Sequence, residues 1–209
     1  MENEGGIQQN PEQQEKFARL VPEVFTHDPN HPERTEEIVD QVLDIERSRF
    51  PEDQAFDREI FEDAFKSTIP TEENKGKTVT VVLVRDPKDG SIFGFTYTEP
   101  AEYVYEDSEN PDDAFHPERL QNLNLHQTAY ISDTVFRESG SGAIKKLMPV
   151  LEEQLLTKGY QYIERDSAMA NNYAPNLVKN NADRILETEE HDSEYGPQMF
   201  IRMKINPSD

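Results

Sequence analysis

The stretch "YISDTVFRESGSGAIKKLMPVLEEQLLTKGYQYIERD", residues 130–166, decides the architecture. It opens on β-branched and aromatic residues, the end of a strand over 126–136. Gly140 and Gly142 then interrupt the chain. From about residue 142 to 158 the pattern is helical, with Ile144, Leu147, Met148, Leu151 and Leu155 on one face. Gly159 stands where a helix C-cap belongs, and "YQYIER" is again a strand. A strand–helix–strand unit makes a parallel pair with a right-handed crossover.

Working outward, "KTVTVVLVR" (77–85) and "SIFGFTYTE" (91–99) flank the turn "DPKDG" and read as an antiparallel hairpin. "FARLVPEVF" (17–25) reads as a first strand, weakened by Pro22. A helix starts at Thr35 as N-cap, carries Ile38, Val39, Val42, Leu43 and Ile45 as its stripe, and stops at Phe50-Pro51. A second helix follows Asp57, with Ile60, Phe61, Ala64 and Phe65 on one face. "VYEDSENPDDAFHPERLQNLN" is a long acidic loop. "NNYAPNLVKNN" is a short helix, and "DRILETEE" and "QMFIRMKI" are closing strands. The fold class is therefore α+β: a mixed, mostly antiparallel sheet with one parallel pair in the middle, flanked by helices.

Composition narrows the partners. The net charge is −22. Such a chain repels phosphate backbones and anionic lipid, so nucleic acid and membrane are not expected partners. A cationic amine or basic peptide would be attracted, and the alternative is a solvated acidic coat serving solubility. With no cysteine, disulfides, thiolate nucleophiles and Cys-based metal sites are excluded, in keeping with a cytoplasmic protein. No apolar run approaches the roughly 20 residues of a membrane span, and the first residues, "MENEGGIQQNPEQQEK", lack the basic start and apolar core of a secretory signal. Residues 1–15 form an acidic, Gln-rich tail expected to be disordered. A homodimer is among the assemblies left open.

A strand that runs through Gly-x-Gly into a helix can bind an anion. Glycine lets the backbone approach a ligand, and the first amides of the helix lack internal partners and sit at the positive end of its dipole. Arg137, Lys145 and Lys146 add formal charge. The alternative is a tight turn into a helix. Other glycine motifs fail: there is no GxxxxGK[ST], and Lys145 stands where a dinucleotide fingerprint needs its third glycine.

One family matches. "RESGSGA", residues 137–143, has the R/Q-x-x-G-x-G/A form of the GCN5-related N-acetyltransferases, and the element order resembles theirs. "IERSRFPEDQAFDREIFEDAF" is similar to their E…FP helix-to-helix segment, and "NNYAPNL" (171–177) resembles their N-x-x-A-x-x-L segment. The resemblance spans about residues 17–205. It implies one acyl-CoA-binding domain over 16–209 behind the tail, and direct transfer of acetyl from acetyl-CoA to a primary amine. Acetyl-CoA would lie in a split between the "AYISDTVF" and "YQYIERD" strands. The pyrophosphate would sit on Ser139, Gly140, Ser141, Gly142 and Ala143, beside Arg137. Thr134, Val135 and Phe136 would pair with the pantetheine arm, and Asn171 would complete the cofactor set. The acceptor would be a cationic small molecule or a basic peptide or protein.

The catalytic groups are less defined. The family's tyrosine acid follows the leucine matching Leu177, and Val178 stands there. Tyr173 is the substitute phenol, and it has the alternative of simply packing. Asp133, with Ser132, lies on the strand beside the acetyl position as an orienting or basic group, or as a structural carboxylate. Glu164 and Asp166 are further base candidates on the neighbouring strand. Tyr103, Tyr105 and the 106–119 loop are candidates to line an amine pocket. No metal is expected: "EDSENPDD" lacks the glycine and terminal glutamate of a calcium loop, and His27, Asp28 and His31 read as ordinary loop residues. Val178 also keeps a second reading open, a non-catalytic acyl-CoA-binding or interaction module.

Overall fold

The computed structural model describes residues 11–51, 55–72, 74, 77–106, 124–138, 142–169, 173–193 and 196–205. The chain begins with α1 (Pro11–Arg19) and β1 (Val21–Phe25). Two helices follow, α2 (Pro32–Arg49) and α3 (Arg58–Lys66). Then come β2 (Thr80–Arg85), β3 (Ile92–Pro100), α4 (Ala101–Glu106) and, after a turn of 3₁₀ helix, β4 (Thr128–Phe136). The second half is α5 (Ala143–Thr157), β5 (Tyr162–Ala168), α6 (Tyr173–Asn180), β6 (Ile185–Ser193) and β7 (Gly196–Lys204).

Three local expectations are corrected. Residues 17–19, expected in a first strand, end α1, which starts inside the stretch assigned to the tail. The helix buries Phe17 and is pinned by Arg19, whose Nε and guanidinium donate to Asp86 at 2.8 and 2.7 Å. Thr35 is not an N-cap: α2 starts at Pro32, where a missing N–H costs nothing, and Thr35 is buried inside it. Residues 101–106 form α4, the first part of it ahead of the acidic loop. The remainder of that loop, 107–123, lies outside the described residues, as does the tail up to residue 10.

The seven strands form one sheet in the order β1-β2-β3-β4-β5-β7-β6. Every neighbouring pair is antiparallel except β4 and β5, which are parallel. Both faces are covered. On one, α1, α5 and α6 pack over a cluster that includes Phe17, Val82, Val84, Ile131, Leu147 and Ala174. On the other, α2 and α3 pack over Val81, Leu83, Phe95 and Val135. The alternation of β2 between the two clusters explains its unbroken Val-Val-Leu-Val run. Phe61 and Phe65 of α3 are fully buried, each contributing roughly 1.5–3 kcal/mol relative to exposure.

Two irregularities shape the middle of the sheet. β4 carries one extra residue: Tyr97 opposes Asp133 and Thr98 opposes Ile131, so Ser132 is bulged. Gly94 is required where β3 crosses the end of β4, because a Cβ there would meet the Phe136 ring at 2.1 Å and the Val135 carbonyl at 2.7 Å. Pro149 does not break α5. The carbonyl it leaves unpaired belongs to exposed Lys145, where water can satisfy it.

A candidate active site in the sheet split

β4 and β5 pair only over Thr128↔Tyr162, Ala129↔Ile163 and Tyr130↔Glu164. Beyond this point each strand keeps its other neighbour: β4 stays on β3 to Phe136, and β5 stays on β7 to Ala168. The sheet therefore opens as a V. Among the described residues, the edge of β4 that faces β5 has no strand partner from Ile131 to Phe136, so the backbone groups turned to it can receive an added extended chain. Thr134 and Phe136 turn their backbone groups to this edge, whereas Val135, two residues before the Arg137 amide that bonds to Phe93 O, turns its own to β3.

At the open end, Gly142 is the N-cap of α5 with φ +70°, a conformation that favours glycine. It offers no side chain to cap the first turn, which begins at Ala143. Ser139, Gly140, Ser141 and Asn171 lie outside the described residues. The three cations near this loop differ in what they do. The Arg137 amide donates to Phe93 O, and its guanidinium donates to Ile92 O and to Asp44, tying β4 to β3 and α2. Lys146 donates to the carbonyls of Ala18 and Leu20 at 2.6 and 2.9 Å, which closes the end of α1. Lys145 is exposed on the first turn of α5.

On the α2 face of the split lies a carboxyl pair. Glu46 of α2 is 2% exposed and meets Asp133 of β4. Burial, then the Asp133 charge and the contact between the two carboxyls, push Glu46 up to about 8. Burial also raises Asp133, to about 6, against the bonds from Glu46 and from the Thr134 amide. Glu46 Oε2 and Asp133 Oδ2 are buried and have no other partner among the described residues, so one proton between them satisfies both. Near neutral pH the pair carries a single negative charge. The Thr134 amide donates to Asp133 Oδ1 at 2.7 Å and fixes that carboxylate.

The same face carries a second network. Tyr105 of α4 donates to Glu164 at 2.5 Å, and burial raises both groups. Glu164 is fully buried, with Arg202 Nε 3.3 Å from its other oxygen, so it is a structural carboxylate rather than a solvated base. Tyr130 donates to Asp166 at 2.9 Å, and His191 Nε2 lies 2.7 Å from the other oxygen of Asp166. Tyr103 donates instead to the Asn74 carbonyl.

The opposite, α5 and α6, face has no such carboxylates from β5. Arg165 and Ser167 lie there, opposite Ile201 and Met199 of the apolar cluster. Arg165 stands 5.6 Å from the ring of Tyr173, the exposed first residue of α6. Val178 packs against the apolar cluster. Sequence reasoning passed over Glu46, Arg165, Tyr130 and His191 as site residues. Glu46 carried a signal: it falls three and four residues after Leu43 and Val42, on the apolar stripe of α2.

No protein-family profile and no curated sequence matches the chain. Solved structures do. The chain is similar to Ard1 from Thermoplasma volcanium, at 10% identity over 89% of this chain and 99% of that one, with a TM-score of 0.54. It is similar to the ribosomal-protein-S18-alanine N-acetyltransferase from Escherichia coli, at 10% identity over 90% and 97%, with a TM-score of 0.53. It is also similar to yncA, a putative acetyltransferase from Salmonella typhimurium in a structure with its cofactor acetyl-CoA, at 10% identity over 90% and 96%, with a TM-score of 0.54. The chain has the fold of the GCN5-related N-acetyltransferases. Among the described residues, no helix is long and apolar enough to cross a membrane.

Proposed function

We propose that this chain is an acetyl-CoA-dependent N-acetyltransferase whose acceptor is a cationic primary amine. The observation that carries the reading is the unpartnered β5-facing edge of β4 from Ile131 to Phe136. That edge suits a pantetheine arm, which has amides and carbonyls of its own to pair with a strand. The arm would run along Thr134, Val135 and Phe136 toward the start of α5. There residues 139–143 would take the pyrophosphate. Arg137 would support the turn from the framework, since β3 and Asp44 hold its side chain. Acetyl-CoA supplies the activated acyl group.

The acceptor would enter on the α2 face as an ammonium, drawn by the charge on the Glu46–Asp133 pair. To attack, it must lose a proton, and a carboxylate near 6 is ionised and able to take it. The thioester sulfur would stay on the α5 and α6 face. The split therefore separates an anion-binding side from a cation-binding side. A binding module with the same fold remains the second reading, favoured by Val178 in the apolar cluster where a proton donor is expected.

Thermal shift with acetyl-CoA, followed by thiol release on a panel of monoamines, polyamines and basic peptides, tests both. The expected result is a stabilising shift and thiol release with cationic acceptors. Asp133→Asn should keep the shift and lower turnover by about a hundredfold or more. A shift without turnover on any amine leaves the binding module. No shift at millimolar ligand removes both readings.

A further inference from the structure

Arg165 and Ser167 are polar groups buried where an apolar core would be expected. Arg165 is 8% exposed and Ser167 3%. Among the described residues, Arg165 Nε and Ser167 Oγ have no hydrogen-bond partner. A buried donor without an acceptor keeps the cost of its desolvation, and the cost is greater when the group is charged. Such a cost is retained most readily where a ligand relieves it.

Their position says which part of a ligand. β4–β5 pairing ends at Glu164, so Arg165 is the first residue of β5 past the apex of the split. It lies level with Ile131 and the bulged Ser132, by extension of the parallel register. From residue 131 to Arg137, ahead of the two glycines, the chain rises about 3.3 Å per residue, roughly 20 Å in all. That distance puts the guanidinium beyond reach of the pyrophosphate turn and at the far end of the arm. Its charge also acts on Asp133 and Tyr130 across the split. On its other side it faces the Tyr173 ring.

We propose that Arg165, seconded by Ser167, holds the sulfur of the thioester and stabilises the CoA thiolate as it leaves. The inference rests on the acetyl-CoA reading above. The amine nitrogen forms a bond to the acyl carbon, and the carbonyl π pair moves to oxygen. Collapse restores the carbonyl and breaks the C–S bond, with the pair left on sulfur facing the Arg165 Nε–H. Nitrogen loses two protons in all, one from the ammonium before attack and one from the tetrahedral adduct; each passes in turn through the Glu46–Asp133 pair to solvent, and solvent returns one to the departed sulfur. A fixed cation at sulfur makes a proton-donating tyrosine at position 178 unnecessary, because the thiolate can depart with its charge and take its proton from water.

The test compares CoA with desulfo-CoA by calorimetry from about pH 6 to about pH 9, across the ordinary thiol range. The intact protein should favour CoA increasingly as pH rises, by about tenfold for each pKa unit by which the bound thiol falls below the free one. Arg165→Met should flatten this preference, and Arg165→Lys, which keeps the charge, should restore part of it. A flat preference in the wild type overturns the proposal, whatever the variants do. So does an unchanged slope in a folded Arg165→Met protein. Binding of CoA with a flat slope leaves the acetyl-CoA reading standing, whereas absence of CoA binding overturns both.

Discussion

Glu46 is a charged residue type held in a core position. Its carboxyl is raised by burial to about 8, so the folded protein prefers it protonated. The stability this group contributes is fully present below its ordinary value of 4.5 and is lost as pH rises through about 8. Glu46→Gln copies the protonated form and should remove that loss. We expect the variant to match the wild type in melting temperature near pH 5 and to exceed it by several degrees near pH 8. An equal gap at both pH values would mean that Glu46 is ionised in the fold. Sequence alone placed Glu46 in the E…FP segment but gave it no partner. Its partner Asp133 lies 87 residues away, from 133 − 46, and only the sheet brings them together. Arg165 was hidden for a different reason. A charged residue in a short strand reads as solvent-facing until the helix that covers it is known.

At the scale of elements, the strand–glycine–helix–strand unit was legible because everything that defines it is local. Alternation, two glycines, an apolar helical stripe and a C-cap glycine lie within residues 126–166. α1 was not legible: "FARLVPEVF" carries a strand-like density of apolar residues, and Arg19 gains its meaning only from distant Asp86. The bulge at Ser132 and the early end of β4–β5 pairing are register properties, which no single strand specifies. Gly142 lets the element account be tested without unfolding the protein. Nothing lies within 4 Å of where its Cβ would stand, so substitution meets only the cost of a positive φ. Gly142→Asp should therefore cost about 1–2 kcal/mol of stability, partly offset by a carboxylate at a helix N-terminus. It should nonetheless abolish the thermal shift with acetyl-CoA, because the same carboxylate repels the pyrophosphate. Retention of the shift would move the phosphates off this turn.

At the scale of the whole molecule, the net charge of −22 would act on the two proposed substrates with opposite sign. A cationic acceptor is steered toward the protein, and acetyl-CoA, itself an anion, is repelled. Raising salt from about 50 mM to 500 mM shortens the screening length from more than 10 Å to under 5 Å. We expect KM for a polyamine to rise severalfold over that range while KM for acetyl-CoA falls. A parallel rise in both would place the acceptor's recognition elsewhere than in charge.

The claim on which the rest depends is that the open edge of β4 takes the arm of CoA. Amide hydrogen exchange with and without saturating CoA reads it directly. New protection is expected at those amides of residues 131–136 that β3 does not already hold, together with the first turn of α5. No change is expected on β1 or on β6, the two outer strands of the sheet. Protection elsewhere, with exchange at 131–136 unaltered by bound CoA, would contradict it.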